Sequence, residues 1–117
     1  MTIEYLNDIA IISGNEKVIL DAQSALDLAM TVKSERGVTK IVIDKDAVTD
    51  DFFVLRTGIA GEILQKFINY HIKFAVYGDF SHYTSKPLKD FIYESNHGLD
   101  FFFVSTKDEA IRRFAEI

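Results

Sequence analysis

Asp79, Ser81, Ser85 and Lys86 fall in one short loop of the stretch IKFAVYGDFSHYTSKPLKDFIYESNHG, residues 72–98. A carboxylate, two hydroxyls and an ammonium in one loop could hold a phosphoryl group. With further carboxylates they could hold a divalent cation, which prefers hard oxygen ligands. Such carboxylates exist at Asp44, Asp46, Asp50, Asp51 and Asp108. This is the reading as a small-ligand or divalent-metal-dependent phosphoryl enzyme. Each residue also has a structural role open to it. Ser85 suits a helix N-cap, Asp79 can accept the N–H groups of its own loop, and the aspartates suit caps and first helical turns. Ser81 or Ser85 as a nucleophile lacks a base, since His82 is merely adjacent and no G-x-S-x-G elbow exists. Arg56 and Lys86 could meet an anion beside helix N-termini, or be solvated surface charge.

The elements that would position this loop follow from periodicity. Residues 72–77 read as a buried strand, and Pro87 fits the first turn of a helix capped by Ser85. Leu88, Phe91, Ile92 and Ser95 make that helix's buried stripe. Upstream, Thr2–Leu6 and Ile9–Ser13 flank Asn7-Asp8 and predict a hairpin. Val18–Leu20 leads into a helix capped by Asp21, with Ala22, Ala25, Leu26, Ala29 and Val32 inward and Gly37 as terminator. KIVID, residues 40–44, is a short apolar strand of the type buried on both faces. In the segment from Asp50 to Tyr70, Phe52, Leu55, Ile59, Ala60, Ile63, Leu64, Phe67 and Ile68 share one face. A continuous helix there would run about 30 Å, well beyond a strand of usual length, so a break is expected near Thr57-Gly58. Phe101–Val104 is the last strand. Ser105 or Thr106 caps a final helix, supported by Asp108 or Glu109 and docked by Ala110, Ile111 and Phe114.

The fold class is therefore α/β, a single domain over residues 1–117 in the order ββαβαβαβα, with a mostly parallel sheet opened by a hairpin. Every loop that follows a parallel strand reaches the same rim, where open α/β sheets meet their ligands. The three histidines do not share one end: His71 starts the central strand, His82 lies past its far end, and His97 closes a helix.

Composition removes several classes of function. A formal charge of −5 disfavours nucleic acid and an anionic membrane surface as partners. The absence of cysteine removes disulfides, thiolate zinc sites and cysteine nucleophiles. No apolar run reaches membrane-spanning length and the N-terminus has no signal-like core, so a cytoplasmic protein is expected. No cofactor is implied, because Gly58 and Gly61 follow no strand as phosphate-cradling glycines would. Among fifteen aromatic residues, Phe53, Tyr83 and Tyr93 fall outside the apolar stripes. They form a candidate contact patch for a protein partner, or cover the flanks of their neighbours.

The element order resembles the sulfate-transporter and anti-sigma-factor-antagonist (STAS) fold. That resemblance implies a non-enzymatic switch or regulatory domain. In the bacterial antagonists the motif is strand–D-S-x-G–helix, with the serine phosphorylated by a partner kinase. Laid on IVIDKDAVTDDFF, it places Asp50 on the motif aspartate and Asp51 on the serine, and Phe52 and Phe53 replace the small residues. A conventional phosphoserine is therefore missing. Phosphoryl-transfer receiver domains are similar in length and acidic rim, but place their acidic pair after the first strand, where Ser13-Gly14-Asn15 stands here. The segments TGIAGEILQKF, GDFS, SKPLKDFIYESN and FFFVS resemble a family of short bacterial proteins known as a domain of unknown function, which implies no activity. The expectation is a regulatory or protein-interaction module with an unidentified protein partner, homo-oligomerisation left open. Its candidate contact residues are Asp50, Asp51, Phe53, Arg56, Asp79, Ser81, Tyr83 and Lys86.

Overall fold

Asn7-Asp8 forms the hairpin its composition dictates. Strands β1 (Thr2–Leu6) and β2 (Ile9–Ser13) pair antiparallel with Leu6 opposite Ile9, and Asn7 takes φ +54°. Asparagine tolerates that left-handed geometry better than most residues. The computed structural model describes residues 1–117. Strands β3 (Lys40–Asp44), β4 (Lys73–Tyr77) and β5 (Phe101–Val104) continue the sheet in chain order, each parallel to its predecessor and β3 parallel to β2.

Side-chain alternation divides the core in two. Ala10, Ile12, Ile41, Ile43, Phe74, Val76 and Phe103 face helices α1 (Ala22–Arg36), α2 (Ile59–Asn69) and α3 (Lys86–Asn96). Ile9, Ile11, Val42, Ala75, Phe102 and Val104 line the other face. There Ala110 and Phe114 of α4 (Lys107–Ala115) close it, the Phe102 and Phe114 rings meeting at 5.5 Å. Burial on both faces is why KIVID reads as a continuous apolar run rather than an alternating one. No helix is long and apolar enough to cross a membrane.

Helix α1 starts at a full capping box. The Asp21 carboxylate accepts the Ser24 amide at 2.8 Å, while the Ser24 hydroxyl accepts the Asp21 amide at 3.0 Å. Leu28, rather than the expected Leu26, joins Ala25, Ala29 and Val32 in the core. Hydrogen bonds from Ser24 hold the Asp21 carboxyl below the usual aspartate range. Its native pKa lies below the unfolded one, so its stabilisation is complete above the ordinary carboxylate pKa and fades as pH falls through the native value. Urea denaturation between pH 7 and pH 2.5 is expected to show a shallower acid loss of stability for Asp21→Asn than for wild type. Identical pH slopes would remove Asp21 from the acid response.

The segment before α2 departs from expectation. The foreseen break is present: Gly58 sits at φ +78° and α2 starts at Ile59. The part upstream is not α-helix but two 3-10 turns, Asp50–Phe53 and Leu55–Thr57. Thr57 stitches them together, donating to the Asp51 and Val54 carbonyls at 2.8 and 2.9 Å and accepting the Ile59 amide at 3.3 Å. Ile68 leaves the predicted apolar face and is exposed, because α2 ends one residue later. Ile19 does not simply lead into α1. It makes a parallel bridge to Val48 and is fully buried, tying the start of α1 to the segment after β3.

Candidate functional site

The rim at the carboxyl ends of β3, β4 and β5 is built by Lys45–Thr57, Gly78–Ser85 and Ser105-Thr106. Several of its polar side chains are engaged with their own backbone. Asp44 accepts the Asp46 amide at 2.8 Å, Asp79 accepts the Ser81 amide at 2.8 Å, and Thr106 accepts the Glu109 amide at 3.1 Å. Ser85 caps α3 as expected, its hydroxyl accepting the Leu88 amide. Of the two candidate caps of α4, Thr106 takes the role, and Glu109 reaches back to the Ser105 amide at 3.4 Å. Ser81 hydrogen bonds hold the Asp79 carboxyl below the usual aspartate range, with small contributions from His82 and Lys45.

The expected site residues come together only in part. Asp79 and Ser81 share the β4–α3 loop. Lys86 does not join them: it turns along α3 and pairs with Asp90 at 2.6 Å, one helical turn away. Asp50 pairs with Lys17 at 3.5 Å. Asp51 is exposed in the first 3-10 turn, eight residues ahead of α2 rather than at its start, and Arg56 is exposed in the second turn. No three acidic or histidine side chains converge as a cation site would require. The histidines occupy separate places, and His97 sets its Nδ1 2.7 Å from the Tyr93 carbonyl.

Phe53 is a correction. It lies 4% exposed instead of projecting from the surface, because the tight 3-10 turn brings it and Phe52 inward together, ring centroids 4.9 Å apart. An α-helical spacing would have sent the two in different directions. The Tyr83 ring stacks on Phe53 at 5.3 Å, and Phe80 joins both at 5.7 and 6.2 Å. Lys45 sets its ammonium over Phe53 and Tyr83 at 5.7 and 5.2 Å, a geometry in which a ring face attracts a cation. Tyr93, by contrast, is 66% exposed on α3.

Sequence reasoning missed Lys45 and Phe80. The available signals were a lysine directly after a buried strand, among aspartates, and a lone aromatic in the polar rim loop. Two clefts flank Phe80. One of about 520 Å³ opens between the ends of β4 and β5, against Asp79, Phe80, Ser81, Phe103 and Ser105. The other, about 320 Å³, runs along α3 between Phe80, Tyr83, Lys89, Ile92 and Tyr93.

The fold has a counterpart among solved structures. A solved structure from Thermotoga maritima, named a "putative anti-sigma factor antagonist (tm1081)", aligns with 97% of this chain and 93% of its own. Its TM-score is 0.52 at 18% sequence identity, a likeness of fold, and the architecture here is accordingly STAS-like. No curated protein matches. The model of the family described as domain of unknown function DUF4180 covers residues 6–114, and the chain belongs to that family.

Proposed function

We propose that this protein is a non-enzymatic regulatory module that works by binding another protein through its rim and the adjoining flank of α3. One observation carries the reading. Asp44, Asp79 and Thr106 on the rim are occupied by capping, while an aromatic cleft between Phe80, Tyr83, Ile92 and Tyr93 is left open to solvent. Aromatic side chains set in a shallow groove are the usual anchors of protein interfaces. Tyr83 is held in place by Phe53 and Lys45, so its position is organised before any partner arrives. The STAS-like fold agrees with a regulatory role. Asp51, which the sequence alignment lays on the phosphorylated serine of the resembling antagonists, is exposed on the rim two residues before Phe53.

Affinity capture with the purified chain and with Tyr93→Asp tests this. Tyr93 is exposed, so the variant is expected to fold normally while losing the specific partner. Equal capture by both proteins would remove the α3 flank from the interface. A melting series with Mg²⁺, Mn²⁺ and nucleotides addresses the phosphoryl alternative, since a ligand binding only the native state raises the melting temperature. No shift is expected, and a reproducible rise would favour that alternative.

A further inference from the structure

We propose that the crevice between the carboxyl ends of β4 and β5 binds a small organic cation with an apolar ring or branched body. The first support is topological. The chain leaving β4 runs to α3 on one face of the sheet, whereas the chain leaving β5 runs to α4 on the other. The two exits part, and a crevice must open between them. In open α/β sheets ligands are received at such divergence points. The cleft of about 520 Å³ lies there, within the size range of small-molecule sites.

The lining gives the ligand's chemistry. Phe103, Val104, Ile92 and the half-buried Phe80 offer apolar surface for a ring or branched chain. Asp79 stands on the β4 side, and its depressed pKa keeps it ionised near neutral pH. On the β5 side the crevice is bounded by Ser105, whose amide donates to Glu109 at 3.4 Å. The positive groups that act on Asp79 do not line the crevice: Lys45 lies over the Phe53 and Tyr83 rings, and the His82 ring packs on Tyr83 at 4.2 Å. An ammonium could thus sit between Asp79 and Ser105, with the face of Phe80 adding a cation–π contribution. An anion would face the Asp79 carboxylate with no cationic side chain lining the crevice. This site neither requires nor excludes the protein-binding reading, and each can fail alone.

The test uses the ¹⁵N-labelled full chain and two probes of matched shape and opposite charge, phenethylammonium and 3-phenylpropanoate, followed by amide chemical shifts. The ammonium is expected to move the amides of Gly78, Asp79 and Ser105 in a saturable way, and the carboxylate to leave them in place. Asp79→Asn keeps an oxygen for the Ser81 amide, so the loop should hold. It is expected to weaken ammonium binding roughly three- to fivefold, the scale of an exposed ion pair. Absence of saturable shifts at these amides would overturn the proposal. So would an equal response to both probes, strongest shifts at Ile72 and Lys73 on the opposite rim, or unchanged affinity in Asp79→Asn.

Discussion

Phe52→Ala is expected to cost the fold about 3–5 kcal/mol, the usual penalty for emptying a buried phenylalanine site. Phe52 is 0% exposed and touches three other rings, Phe53, Phe103 and Phe74, at 4.9, 6.0 and 6.5 Å. Its loss opens a cavity between the 3-10 turn and the sheet that the surrounding strands cannot collapse to fill. The contrast is Phe91→Ala. Phe91 lies in the predicted stripe of α3, but it is only half-buried, against Phe103 at 5.6 Å. About 1–2 kcal/mol is expected there, because part of the ring meets water in both states. Chemical denaturation of the two variants side by side checks the ordering. A Phe52→Ala loss as small as that of Phe91→Ala would mean that the 3-10 turn carries little of the packing energy. Against a total stability of about 5–15 kcal/mol, the larger loss is enough to threaten folding.

The difference between these two phenylalanines shows what could be read in advance. The strands, the hairpin, three helix caps and the Gly58 break all depend on local preferences: alternation, short polar side chains, and the freedom of glycine at φ +78°. Such signals are written in a few adjacent residues. The direction of Phe53 depends on whether the turn is α or 3-10, and nothing in TDDFFVLRTG distinguishes them. Here the choice is made by tertiary packing, as Phe52 and Phe53 both reach Phe103. Sequence proximity to Asp79 points Lys86 at the site. A partner one helical turn away, Asp90, was closer at hand. The aromatic cluster joining Phe53, Phe80 and Tyr83 to Lys45 draws on two rim segments far apart in sequence, so no local pattern announces it. Asn96 makes the same point at the sheet edge. Its side chain accepts the Phe103 amide at 2.7 Å and donates to the Phe103 carbonyl at 3.0 Å, so a helix residue takes the place of a neighbouring strand. That covers an edge which would otherwise be open to pairing.

Gly78→Ala is the second large effect to expect, and it bears directly on the rim. Gly78 directly follows β4, its amide donating to the Val104 carbonyl at 3.0 Å, and its φ of +155° is one that side-chain-bearing residues rarely adopt. A Cβ built there would lie 2.7 Å from the Lys45 Cβ, closer than such atoms approach. Relief cannot come from a flexible tip, because the atom in the way is bonded to the Lys45 backbone. Either the β4 exit or the β3 exit must shift. The strained backbone alone costs about 1–3 kcal/mol, and the displacement adds to it. A shift of the β3 exit would pull the Lys45 ammonium off Phe53 and Tyr83, and a shift of the β4 exit would move Asp79 and Phe80. Either way, the geometry of both clefts changes along with stability. Gly78→Ala is therefore expected to lower the unfolding midpoint and to perturb the amides of residues 45–47 and 79–83, leaving the β1–β2 hairpin at wild-type shifts. Wild-type stability with an unmoved rim would show that the close approach of Gly78 to Lys45 is not what sets the two loops.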